Sequence, residues 1–238
     1  MQKRNIKLNV NGLILVNKPY GWSSNQTLTK IKKKFHPKRA GHTGTLDPLA
    51  SGLLAICLGE ATKFSRFLLN ENKTYTAKLK LGYTSSTGDA EGTIIKKNEK
   101  INLSKQSINK ILEDFKGEII QTPPMFSALK VHGKPLYKYA REGIEIERNS
   151  RKIVISSLII KDFINDELTI DISCSKGTYI RTLASDIGNK LGVGAYLSFL
   201  ERMSIGNFKL KDAVSIENFS LLLFIFSSTF IVTLSCFD

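Results

Sequence analysis

The sequence predicts an α+β fold: a mixed, largely antiparallel central sheet flanked by helices, with a basic excursion inserted into it. Three observations carry this expectation. Strand and helix patterns intermix along the chain without a strict βαβ rhythm, which disfavours a doubly wound parallel sheet. Residues 74–81 alternate cleanly, with Tyr75, Ala77, Leu79 and Leu81 on one face and Thr76, Lys78 and Lys80 on the other. That is the pattern of a half-buried antiparallel strand. Residues 121–151 are an irregular, basic stretch, and Pro123, Pro124, Gly133 and Gly143 interrupt any long helix there. Such a stretch reads as an excursion from the core.

The elements follow in order. Residues 12–16 are a short apolar run stopped by Asn17-Lys18-Pro19, a buried strand ending in a turn. Ser23 followed by Gln26 is a capping-box signature. The helix behind it carries Leu28, Ile31 and Phe35 on one face and Lys30, Lys32, Lys33 and Lys34 around the rest. Residues 39–52 form a loop dense in Gly, Thr, His, Asp and Pro, leading into an apolar strand at 53–58. A helix is expected at 61–69 with Phe64, Phe67 and Leu68 inward, and a short one at 108–115 after the turn-rich stretch 85–93. Strands at 153–160 and 168–174 are joined through Asn165-Asp166. A last helix, 178–191, repeats apolar residues at Ile180, Leu183, Ala184, Ile187 and Leu191. Residues 1–217 are expected to form one catalytic domain with its insertion at about 121–151.

Residues 218–237 carry no charge and form a run long enough to be weighed as a membrane span. Ser and Thr recur through it and no Lys or Arg lies beyond Lys211, so a membrane span is disfavoured and no stable membrane association is expected. Its β-branched and aromatic content also suits a buried strand pair, and a truncated or altered C-terminus is a further alternative. Residues 218–238 are read as an atypical tail.

Composition narrows the partners. Among 238 residues, 35 Lys and Arg stand against 21 acids, a net charge of +14. That balance points to a polyanion, either nucleic acid or an anionic membrane. Cys57, Cys174 and Cys236 are too few and too scattered for a disulfide framework. With His36, His42 and His132 they show no metal-ligand spacing, so no metal is expected. The first ten residues lack the apolar run of a secretory signal, and a cytoplasmic protein is expected.

For chemistry, Asp47 stands in a loop between glycines and before Pro48, where alone it reads as a turn aspartate. Arg181 falls in the first turn of a helix, between the core positions Ile180 and Leu183. A buried arginine needs an anionic partner, and a carboxylate such as Asp47 would supply one. Tyr75 begins the alternating strand. It reads as core or, beside a carboxylate in a basic cleft, as a platform for an extruded base. Lysines and arginines cluster at 30–38, 130–138 and 148–152, interspersed with Phe35, Phe126, Tyr137 and Tyr139. This is the mixture found on RNA-binding surfaces. No GxxxxGK[ST], GxGxxG, GxSxG or HxE with a downstream CxxC occurs, which argues against nucleotide-dependent transfer, serine hydrolysis and zinc deamination. A cofactor-free, RNA-acting enzyme with one essential carboxylate fits best.

Read together, the segments GLILVNKP, GHTGTLDPLASGLL, GEATKFSRFLL, TGDAEG, QTPPMFSALKVHGKPLYKYAREG and KGTYIRTLASDIG resemble, in order, the bacterial tRNA pseudouridine-55 synthase family of TruB type. The resemblance covers residues 12 to about 216. It implies a pseudouridine-synthase sheet, the T arm of tRNA as substrate, a monomer and no cofactor. It also implies that residues 121–151 form a thumb-like clamp on RNA. It assigns Asp47 as the catalytic aspartate, Tyr75 as the tyrosine stacked on the flipped base, and Arg181 as the arginine paired with the catalytic carboxylate. His42 would enter the T loop and Leu200 would pack against the base, with Lys18 and Lys63 at basic positions nearby. The chain departs from the family at Phe126, where tyrosine is frequent, and at Glu201, where a basic residue is usual. The uncharged tail stands where a C-terminal RNA-binding domain is usual. Two other readings stay open: a tRNA-folding chaperone of the same fold, and a guide-RNA-dependent relative.

Overall fold

The computed structural model describes residues 7–98 and 101–216. In chain order the elements are β1 (Gly12–Lys18), α1 (Ser24–Phe35), β2 (Ala40–His42), β3 (Ala50–Leu58), a 3-10 turn (Gly59–Phe64) and α2 (Ser65–Asn70). Next come β4 (Lys73–Leu81), β5 (Tyr83–Ser85), β6 (Ile94–Lys96), α3 (Lys105–Glu113) and β7 (Gly117–Gln121). Then follow β8 (Lys130–Val131), β9 (Lys134–Pro135), α4 (Leu136–Arg141), β10 (Arg151–Ile164) and β11 (Glu167–Cys174). The series closes with α5 (Ile180–Lys190), β12 (Ala195–Ile205), β13 (Phe208–Lys209), a 3-10 turn (Leu210–Asp212) and β14 (Val214–Ser215). The chain divides into two compact units, one of Met1–Lys73 with Glu201–Asp238, the other of Thr74–Leu200.

In the first unit β1 pairs antiparallel with β3 along its whole length, from Gly12↔Leu58 to Lys18↔Gly52. β2 joins the other edge residues of β3 antiparallel, and β14 pairs parallel with β1. β3 is buried on both faces. One face meets Ile14, Val16, Ile31, Phe35 and Val214 through Leu54, Ile56 and Leu58; the other packs Leu53 and Ala55 with Leu15 and Ile205. α1 covers the first face because its apolar residues recur at helical spacing and its start is capped. Ser23 Oγ accepts from Gln26 N at 3.1 Å while Gln26 Oε1 accepts from Ser23 N at 2.7 Å, the reciprocal cap that the sequence signals.

The segment after β3 departs from expectation. Phe64 is 63% exposed and Phe67 54%, while only Leu68 turns to the core. Residues 59–64 wind as a 3-10 turn, whose three-residue period rotates the side chains away from the face an α-helix would present. The two rings stack on each other instead, with centroids 6.3 Å apart, and Arg66 lies over Phe67.

In the second unit the strand order is β12-β4-β11-β10-β7. β4 shows the alternation read from the sequence, with Tyr75, Ala77, Leu79 and Leu81 buried. β10 and β11 form a hairpin whose turn holds Asn165 at φ 56°, a left-handed conformation that Asn adopts readily. The insertion is built of the β8–β9 hairpin and α4, which buries Leu136, and is otherwise irregular. Across both units the sheet is mixed and largely antiparallel, flanked by helices.

Candidate active site

Asp47 lies in the first unit on the loop between β2 and β3, where the backbone is held on every side. Leu46 and Leu49 are buried on either flank. Ser24, at the start of α1, donates through Oγ to Leu46 O at 2.9 Å and accepts from Leu46 N at 2.8 Å. Asp47 O accepts from Ala50 N at 3.0 Å, and Pro48 O accepts from Gly21 N at 2.8 Å. Upstream, Thr43 N donates to Ala55 O at 2.9 Å. The aspartate is thus half-buried on a turn whose backbone is fixed by these bonds.

Lys18 ends β1 fully buried. Its Nζ donates to Pro19 O at 2.9 Å and to Trp22 O, which closes the 19–22 turn, and Gly21 N of that turn donates to Pro48 O of the Asp47 loop. His42 ends β2 half-buried, and its Nδ1 is buried with no hydrogen-bond partner among the described residues. Burial, and secondarily the Arg202 guanidinium, hold this imidazole below its ordinary pKa, so it is neutral at neutral pH. Lys63 is exposed on the 3-10 turn, where it pairs with Glu60 and pulls that carboxyl below its usual range. Glu201 is half-buried, and its Oε1 accepts from Ser51 Oγ at 3.5 Å.

In the second unit, Tyr75 is buried on β4 and Leu200 on β12. Arg181 is buried in the first turn of α5, as the sequence places it. Its Nε lies 3.4 Å from Asp89 Oδ2, and Nη1 donates to Thr87 O at 3.0 Å and Nη2 to Phe126 O. Asp89 is itself locked, accepting from Thr87 Oγ1 at 2.5 Å and from Glu91 N at 3.0 Å. The same loop docks on β12, with Ala90 N donating to Leu197 O at 3.1 Å and Leu197 N to Gly88 O at 3.0 Å. The loop that holds Arg181 is therefore anchored to β12 at Leu197.

Three positioning residues escape the sequence reading. Asp89 sits in a turn-rich stretch whose aspartates ordinarily cap turns. Arg202 is fully buried, donating through Nε to Leu53 O at 2.7 Å and through Nη2 to Gly44 O at 3.2 Å, so it braces the Asp47 loop from β12. Its signal was parity: it lies two residues from Leu200, on the same strand face. Gln121 holds the start of the insertion to α5, donating to Tyr179 O at 3.1 Å and accepting from Tyr179 N at 2.8 Å. A buried glutamine of this kind leaves no local pattern.

Comparison with known proteins places the chain in a family. The model of the TruB family pseudouridylate synthase N-terminal domain matches residues 32–180. That of the tRNA pseudouridylate synthase B C-terminal domain matches residues 181–229, so it runs into the uncharged 218–237 stretch, which lies outside the described residues. A tRNA pseudouridine synthase B of Methylobacillus flagellatus is 51% identical over 217 residues, covering 91% of this chain and 72% of the relative. One of Marinomonas sp. is 50% identical over 210 residues, 88% of this chain and 68% of the relative. Among solved structures, a chain of a Cbf5–Nop10–Gar1 complex superposes with a TM-score of 0.69 at 30% identity, over 87% of this chain and 53% of that one. The chain belongs to the TruB family of pseudouridylate synthases.

Proposed function

We propose that this chain isomerises uridine 55 in the T loop of tRNA to pseudouridine, working as a cytoplasmic monomer by an aspartate-dependent mechanism that needs no metal or cofactor. The observation that carries the reading is the Asp47 turn: a half-buried carboxylate whose backbone is fixed by Ser24, Leu46, Leu49 and Arg202. Such preorganisation suits a group that must meet one atom of a flipped nucleotide.

In this reading the Asp47 carboxylate acts at C1′, by direct attack or by way of a glycal. The C1′–N1 bond breaks, the detached base turns, C5 bonds to C1′ and releases its hydrogen as a proton to solvent, and N1 takes up a proton. Atoms are conserved, so no co-reactant is consumed. Tyr75 stacks on the base and serves the proton transfer at C5, Arg181 supports the carboxylate, and Leu200 packs against the base. His42, neutral and half-buried, helps hold the base out of the stack. Lys63 meets the RNA backbone, whereas Lys18, with its ammonium held by carbonyls, contributes by fixing the turn beside Asp47. Residues 1–217 serve as the catalytic domain and residues 121–151 as the clamp, with 218–238 as an atypical C-terminal tail.

The test is tritium release from C5-labelled uridine in a T-arm hairpin. Asp47→Asn is expected to lower release about 10⁴-fold or more while binding persists. Appreciable turnover by that variant overturns the assignment. The chaperone reading predicts instead that tRNA annealing by the variant matches wild type and that wild type releases no tritium.

A further inference from the structure

Along the outward side of α1 lies a shallow cavity of about 380 Å³, lined by Trp22, Asn25, Gln26, Thr29, Lys30 and Lys33 together with Ser23. The lining runs through residues three and four apart, so these side chains share one helical stripe. Its aromatic member is the only tryptophan of the chain. That indole is half-buried on a turn held rigidly at both ends: Lys18 Nζ donates to Pro19 O and Trp22 O, and Gly21 N donates to Pro48 O. On the same turn Tyr20 is 65% exposed. Gln26 commits its Oε1 to the helix cap, leaving its amide NH₂ as a donor. Lys30 and Lys33 are exposed, and neither has an ion-pair partner among the described residues. No acidic side chain lines the cavity.

We infer that this cavity is a nucleotide subsite, in which the Trp22 indole stacks on a base of the bound RNA outside the target nucleoside and Lys30 and Lys33 hold the adjoining phosphates. The chemistry matches each part. An aromatic face takes any base, the amides of Asn25 and Gln26 meet base edges, and two unopposed ammonium groups take a backbone with a charge at every nucleotide. A flat membrane surface would make no use of a concave site with amide donors, and an acidic peptide would leave the indole without a stacking partner. The inference rests on the RNA-acting reading above. It adds that RNA is gripped on the turn that buttresses the Asp47 loop, so occupancy of the subsite is mechanically continuous with the catalytic carboxylate.

Because Trp22 is the only tryptophan, its emission reports on this site alone. The full chain is titrated with a tRNA transcript while Trp22 fluorescence, its quenching by acrylamide and filter retention of the RNA are followed together. The expected result is saturable quenching with the midpoint of the filter isotherm, and shielding of Trp22 from acrylamide. The double variant Lys30→Ala, Lys33→Ala changes only exposed helix positions. It is expected to bind tRNA roughly tenfold or more weakly at about 0.1 M salt and to flatten the log–log salt slope by about 1.8, two phosphates at about 0.9 each. Retention of tRNA with no change in emission or shielding overturns the subsite and leaves the enzyme reading standing. Wild-type affinity and slope in the double variant do the same. A blue shift with phosphatidylserine-containing vesicles but none with tRNA would reassign the surface to membranes and so also overturn it. Failure of the wild-type chain to retain tRNA at all would bring down the enzyme reading together with this one.

Discussion

Arg181 and Asp89 form an ion pair deep in the second unit, Nε to Oδ2 3.4 Å, with the side chains only 6% and 2% exposed. Both members have further anchors: Arg181 donates to Thr87 O and Phe126 O, and Asp89 accepts from Thr87 Oγ1 and Glu91 N. The pair therefore helps to hold the Arg181 side chain, and it couples α5 to the 87–92 loop.

Removing the acid from this pair should be expensive. Asp89→Ala is expected to lower stability by about 1–3 kcal/mol, the usual cost of removing a charged partner from a buried hydrogen-bonded network, and to depress uridine conversion strongly. Asp89→Asn, which can still accept from Thr87 and Glu91, should cost less stability. Urea denaturation of the three proteins checks the order.

The Asp47 loop depends on one hydroxyl. Ser24→Ala removes both bonds to Leu46 and leaves its buried backbone N–H unsatisfied, a loss of about 1–3 kcal/mol. The looser turn should reduce kcat while KM for the hairpin changes little. A change confined to KM would show that the loop serves binding and not chemistry.

Gly52 begins the core of β3 at φ +96°, where an added Cβ would lie 2.5 Å from Arg202 O and 2.7 Å from Arg202 N. Neither the backbone conformation nor the close approach tolerates a side chain. Gly52→Ala should push β3 away from the Arg202 segment, at a cost of about 2 kcal/mol or more. Thermal unfolding of the variant, compared with Gly133→Ala, which carries the same positive-φ strain but whose Cβ meets nothing within 4 Å, separates crowding from backbone strain.

His42 gives the stability a pH dependence of known sign. Its folded pKa lies below the ordinary 6.5, first through burial and then through Arg202. Below about pH 6.5 the unfolded chain takes up a proton that the folded chain resists, so this contribution is complete above that pH and is lost as the pH falls. His42→Phe should shrink the difference in denaturation midpoint between pH 7 and pH 5. An unchanged difference would show that other groups carry the acid sensitivity.

What the sequence made legible follows from local rules. The capping box at Ser23 and Gln26, the alternation of residues 74–81 and the Asn165-Asp166 turn are short-range patterns, and each appears where it was expected. The buried placement of Arg181 was legible for the same reason, since helical spacing puts it beside Ile180 and Leu183. The inward placement of Phe64 and Phe67 failed because the period itself changed: a 3-10 turn occupies residues 59–64, and nothing local marks where three residues per turn give way to 3.6.

By itself, then, the sequence determined the class of fold, several elements between β1 and α5 and the basic character, since periodicity and capping are written within a few residues of each other; β12, which carries Leu200 and Arg202, was not read from it. Only the tertiary structure decided which groups support them. Asp89 behind Arg181, Arg202 and Ser24 behind the Asp47 loop, and Gln121 at the root of the insertion are joined across 22 to 158 residues of chain. Such partnerships depend on where buried polar groups find donors and acceptors after the sheet has formed, and that balance of desolvation against hydrogen bonding exists only in the folded chain.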